Sequence, residues 1–108
     1  MAKPVRLRRL AADDIDAALL HYLAEAGDDV AGRFIDAVER ALTYVGRHPH
    51  SGSLRLSYDL DIPELRTWPL DRFPYLVFYV AKHSQIDVWR VLHTRRDIPT
   101  ALADRSEK

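Results

Sequence analysis

The stretch "QIDVWRVLHTRRDIP", residues 85–99, decides how this chain folds. From Ile86 to His93 its apolar and β-branched residues read as a strand, yet Arg90 sits in the middle, the strand ends in a histidine, and Arg95 and Arg96 crowd just beyond it. An arginine inside a strand leans into water, pairs with a carboxylate, or is held in place to meet an anion. Period two puts Ile86, Val88, Arg90 and Leu92 on one side and Trp89 and His93 on the other. Arg90 and His93 therefore start on opposite faces, unless a bulge or the strand end re-aims one of them.

Upstream lie two more strand-like runs, "LRTWPL" (65–70) and "YLVFYV" (75–80), and the links "DRFP" and "AKHSQ" are of hairpin length. The three strands form an antiparallel meander in which Arg66 and Trp68 share a side. Before them, "HPHSGSLRLSYDLDIP" (48–63) loses periodicity and reads as a loop with one short irregular piece near Leu54 to Leu56. Further back come two amphipathic helices. The first presents Ile15, Ala18, Leu19, Tyr22, Leu23 and Ala26, with Asp13 placed to cap it and Gly27 to end it. The second, capped by Asp28, presents Val30, Phe34, Val38, Ala41, Leu42 and Val45 and closes near Gly46, ahead of Pro49. "VRLRRL" (5–10) alternates apolar and basic and reads as a first strand. The tail from 98 to 108 is expected to add a helical turn after Pro99 and then fray. The expected fold is α+β and one domain over residues 1–108: strand, helical hairpin, then the meander, in one sheet with the helices on one face and the other face open.

At 108 residues the chain buries a single core without staples, and it contains no cysteine, which excludes disulfides, thiolate nucleophiles and thiolate metal sites. No run has the apolar length of a membrane span and the basic start lacks the apolar segment of a signal peptide, so a cytoplasmic protein is expected. Net charge is zero but segregated: residues 1–9 hold four cations and no acid, and residues 10–45 hold eight acids against Arg33 and Arg40. Thirteen of the sixteen cations are arginine, which suits bidentate contact with carboxylate or phosphate and cannot shuttle a proton.

For Arg90 the plain structural reading is a pair with a carboxylate such as Asp87 or Asp97, and for His93 a hydrogen bond to Asp97 or to backbone. Arg95 and Arg96 read as a solvated turn or as an anion contact. Asp13, Asp14 and Asp16 suit the start of a helix. Trp68, Trp89, Tyr75 and Tyr79 read as sheet filling, with an aromatic beside Arg66 able to stack a base if exposed. His48 and His50 flank a proline with no third ligand in view, so no metal and no cofactor is expected.

The chain resembles the ParE/RelE superfamily of toxins from bacterial toxin–antitoxin pairs. The resemblance rests on "DDIDAALLHYLAEAG", "FIDAVERAL", "HPHSG", "LRTWPLDRFPYLVFY" and above all "VWRVLHTRRDIP", whose pairing with "PYLVFY" looks like the ParE branch. It implies a toxin that inhibits DNA gyrase by binding, neutralised by a cognate ParD-like antitoxin. The target surface it implies contains Arg66, Trp68, Arg90, His93, Arg95 and Arg96. Apolar residues beyond the core's needs, among them Leu19, Leu23, Phe34 and Leu54, are expected to receive the antitoxin's helix. RelE-like relatives instead cut ribosome-bound messenger RNA without metal, and in that alternative Arg66, Arg90 and His93 are the catalytic set. Residues 50–65, where such ribonucleases place lysines, hold Arg55 and no lysine. An inactive member that only binds its antitoxin is the remaining alternative.

Overall fold

A computed structural model describes residues 2–104. The element order is β1 (Val5–Leu7), α1 (Arg9–Ala26), α2 (Asp28–Arg47), α3 (Arg55–Leu60), β2 (Arg66–Pro69), β3 (Tyr75–Ala81), β4 (Ile86–His93) and α4 (Ile98–Ala103). One four-stranded sheet runs β1-β4-β3-β2, antiparallel except where β1 lies parallel to β4 at the edge. No helix is long and apolar enough to cross a membrane among the described residues.

The helical hairpin covers one face. Gly27 makes its sharp corner: at φ 88° the backbone is in a region that L side chains avoid, and the Gly27 N–H closes α1 on the carbonyl of Tyr22. Asp28 is not the expected cap but lies with Asp29 in the first turn of α2, where the positive end of the helix dipole favours carboxylates. Phe34, Val38, Ala41 and Val45 from α2 and Ala11, Ile15 and Ala18 from α1 meet Val77, Tyr79, Ile86, Val88 and Val91 of the sheet. Phe34 sits in a ring cluster, its centroid 5.2 to 5.4 Å from those of Tyr22, Phe73 and Tyr75.

Three further expectations are corrected. The first strand stops at Leu7, and α1 starts at Arg9 rather than at Asp13. Burying Ala11 under the hairpin requires that extra helical turn, and the alternating pattern of "VRLRRL" is overridden by it. The opposite sheet face is not open. Ile62 and Leu65 beyond α3 and Ala101 and Leu102 of α4 cover Phe78 and Leu92 there. Finally, β4 is bulged: Tyr79 pairs with Val88 but Phe78 with Arg90, so Trp89 is the extra residue. The bulge breaks the period-two grouping, because Ile86 and Val88 face the hairpin while Leu92 joins the second cluster.

Candidate functional site

Arg90 is 7% exposed and wraps the edge of the sheet just past the bulge. Its Nε and Nη2 donate to the two carboxylate oxygens of Asp14 at 2.7 and 2.8 Å, and Nη1 donates to the Ala101 carbonyl at 2.9 Å. One guanidinium thus ties α1 to α4. The partner is neither Asp87 nor Asp97. Asp14 also accepts the Val91 N–H at 3.0 Å, an edge donor left free because β1 ends too early to reach it. The hydrogen bonds Arg90 donates to the Asp14 carboxylate raise it above the ordinary guanidinium range, outweighing the burial that opposes them. Arg90 therefore leaves the expected target surface: its donors are committed inside the fold.

Asp87 has another role. Its carboxylate is fully buried and takes a fork from Arg8 at 3.0 and 2.8 Å, Lys82 at 3.1 Å and the Trp89 indole N–H at 3.2 Å. The Arg8 guanidinium lies over the Trp89 ring, 4.4 Å from its centroid. Burial alone would push the Asp87 carboxyl up, but the Arg8 and Lys82 hydrogen bonds and charges together hold it below the usual carboxylate range.

Arg66 is half-buried and donates Nη1 to the carbonyls of His50 and Gly52 at 3.0 and 2.9 Å. From the buried side, the Tyr79 hydroxyl accepts the Gly52 N–H at 3.0 Å and donates to the Pro49 carbonyl at 2.9 Å. Burial raises the Tyr79 phenol. A Cβ at Gly52 would come within 2.5 Å of that hydroxyl, which explains glycine in "HPHSG". Trp68 is half-buried and stacked on Tyr44 at 4.5 Å and 16°, and the His48 ring also lies 4.6 Å from that of Tyr44. One face of Trp68 is thus taken by Tyr44. His48 and His50 are thereby accounted for by a ring contact and a backbone carbonyl.

His93, Arg95 and Arg96 occupy the other end of the sheet. His93 is half-buried against Tyr75, ring centroids 5.1 Å apart, and its Nδ1 accepts the Arg95 N–H at 3.0 Å. Asp97 does not reach it: Asp97 caps α4, accepting from the N–H and hydroxyl of Thr100 at 3.3 and 2.8 Å. Arg95 and Arg96 are exposed. Arg66 pairs with Tyr79 and His93 with Tyr75, so they lie four residues apart along β3, on the order of 13 Å. The structure does not bring Arg66, Arg90 and His93 together.

Of the residues expected to receive an antitoxin, Phe34 is fully buried and is withdrawn, because the ring cluster of the core uses it. Leu19 and Leu54 are half-buried and Leu23 is exposed. The residue that sequence reading passed over is Leu20, 65% exposed and three positions before Leu23 on α1. It sat one step off the inward stripe, and an apolar residue on the polar side of a helix was the available signal. Asp14 was read only as a helix-start acid and His21 was passed over, because only the packing of α1 against the β4 end brings Asp14 to Arg90 and His21 beside His93 and Arg96.

Residues 5–98 match the family model described as the ParE toxin of type II toxin-antitoxin system, parDE. Among solved structures, the chromosomal ParDE TA system from P. aeruginosa is similar in fold, with a TM-score of 0.71 and 21% identity over 85% of this chain and 96% of that one. Among curated proteins, none matches the chain.

Proposed function

Because the chain belongs to the ParE toxin family of type II toxin-antitoxin systems, we propose that it arrests growth by binding DNA gyrase in the cytoplasm and that a cognate antitoxin neutralises it. The observation that supports binding over turnover is the fate of Arg66, Arg90 and His93. Metal-free RNA cleavage needs a base, an acid and fixed cations around one phosphate. Here Arg90 is spent on Asp14 and Ala101, Arg66 on the 50–52 loop, and His93 stands at the far end of the sheet. The half-buried His93 at the end of β4 and the exposed Arg95 and Arg96 of the turn after it are then the target contact. An amphipathic antitoxin helix lies on α1 across Leu20 and Leu23, with Leu19 at its margin, while Leu54, beside β2 at the other edge of the sheet, meets a different part of the antitoxin.

The test is a supercoiling assay with purified toxin, run beside ribosome-bound messenger. Inhibited supercoiling or trapped cleaved DNA with intact messenger is expected, and His93→Gln, which keeps the size and some hydrogen bonding of a contact residue but cannot carry a proton at neutral pH, should lower toxicity only slightly. A nuclease using His93 would lose on the order of 10²-fold in rate from that change. Messenger cut at defined positions with gyrase unaffected would overturn the proposal in favour of the RelE-like reading.

A further inference from the structure

The edge of β4 carries a second anion position beyond the one Asp14 fills. β1 pairs with β4 only as far as Leu7 opposite Val88, so from Trp89 onward β4 has no strand beside it on that side. The Thr94 N–H donates to the Pro74 carbonyl of the neighbouring hairpin arm at 2.9 Å. By the alternation of an antiparallel ladder, Arg90 and Leu92 then face β3, while Val91 and His93 turn their N–H groups outward. The Val91 N–H confirms the phase, because Asp14 binds it at 3.0 Å. The fold has already seated one oxyanion on this edge. The next outward N–H, at His93, lies about 7 Å further along the strand.

That position opens on a notch of about 190 Å³ between α1 and the strand end, walled by His21, Tyr75, His93 and Arg96 over a floor of Ala17 and Val91. The volume is about six waters' share of liquid, enough to seat a phosphate group. Because His93 Nδ1 accepts the Arg95 N–H, the neutral ring carries its proton on Nε2 and is a donor from that atom. Arg96 is exposed and forms no ion pair with any described residue. Asp14 also borders the notch, but the Arg90 fork answers its charge. The Tyr75 hydroxyl is engaged with Tyr22. What remains unmatched is a set of donors: a backbone N–H, an imidazole and a guanidinium.

We propose that this notch binds a phosphate group, held by the His93 N–H and ring, Arg96 and His21, and that the phosphodiester backbone of a nucleic acid is what supplies it. The inference concerns binding chemistry and does not depend on gyrase being the target. The test is nuclear magnetic resonance of the backbone amides during titration with inorganic phosphate, a short single-stranded DNA oligonucleotide and acetate. Phosphate should move the His93 amide first and saturably, and the oligonucleotide should do so at lower concentration. Arg96→Ala, an exposed change that leaves the fold intact, should weaken both by about tenfold, the loss of one charge-assisted contact. Arg47→Ala, on the far end of α2, should change neither. Phosphate binding without the oligonucleotide would keep the site and overturn its nucleic-acid source. A His93 amide that stays still, an Arg96→Ala protein that binds as well as the parent, or acetate acting as strongly as phosphate would overturn the site itself.

Discussion

The two faces of the sheet are built differently. The hairpin face is one continuous apolar cluster supplied by two helices adjacent in sequence. The opposite face is covered by short pieces from distant parts of the chain, Ile62 and Leu65 from one and Ala101 and Leu102 from the other. Its margins are held by buried charge: Arg8, Lys82 and Trp89 on Asp87, and Arg90 between Asp14 and Ala101. A long amphipathic helix carries enough apolar surface to settle itself, whereas a six-residue helix such as α4 does not. Short covers need directional contacts, and here arginines supply them at both ends of β4's outer edge.

The largest effect should follow from breaking the first face. Phe34→Ala removes a fully buried ring from a cluster of four and is expected to cost about 4 kcal/mol, read as a fall in denaturation midpoint with unchanged slope. A loss below about 1 kcal/mol would mean the hairpin does not dominate the core.

Next comes the charge network of the second face. Asp87→Asn leaves Arg8 buried without its anion and is expected to cost about 3 kcal/mol at neutral pH. The pH dependence has a definite sign. Because the folded carboxyl titrates below its unfolded value near 3.9, its contribution is present above that pH and is lost as pH falls through the folded value. The variant should therefore show a shallower loss of stability on acidification than the parent. Parallel acid limbs in the two proteins would show that Asp87 is not what the acid titrates.

Leu102→Ala tests the short cover directly and is expected to cost about 2 kcal/mol, the low end for a buried leucine, since α4 can settle into the space. Asp97→Ala removes the cap of α4 and should cost about 1 kcal/mol. In that variant hydrogen exchange should quicken at Ala101 and Leu102 and stay unchanged in α2. Quickening throughout α2 would show the two faces to be one cooperative unit.

The hairpin was legible from sequence because its information is local. Apolar residues at helical spacing from Ile15 to Val45, with Gly27 at the corner, leave one arrangement that buries most of both stripes, with Leu23 and Ala26 at the end of the first left exposed. The three strands of the meander were legible for the same reason, their turns being short. The start of α1 was not legible, since "VRLRRL" satisfies the strand period and only the burial of Ala11 decides against it.

The amino-acid sequence by itself determined the helical hairpin, the meander and the family, but not the helix Arg55–Leu60, which read as a loop. It also identified the cations that crowd the end of β4, because all of these are set by neighbours within a few residues. Tertiary structure alone decided what Arg90 does. The bulge at Trp89 shifts the strand's phase, and the partner Asp14 lies 76 residues away. The same packing left His93's amide on an open edge, and no spacing along the chain encodes that. Which donors are spent and which stay free depends on where β1 stops beside β4, and that is fixed only when the whole sheet has closed.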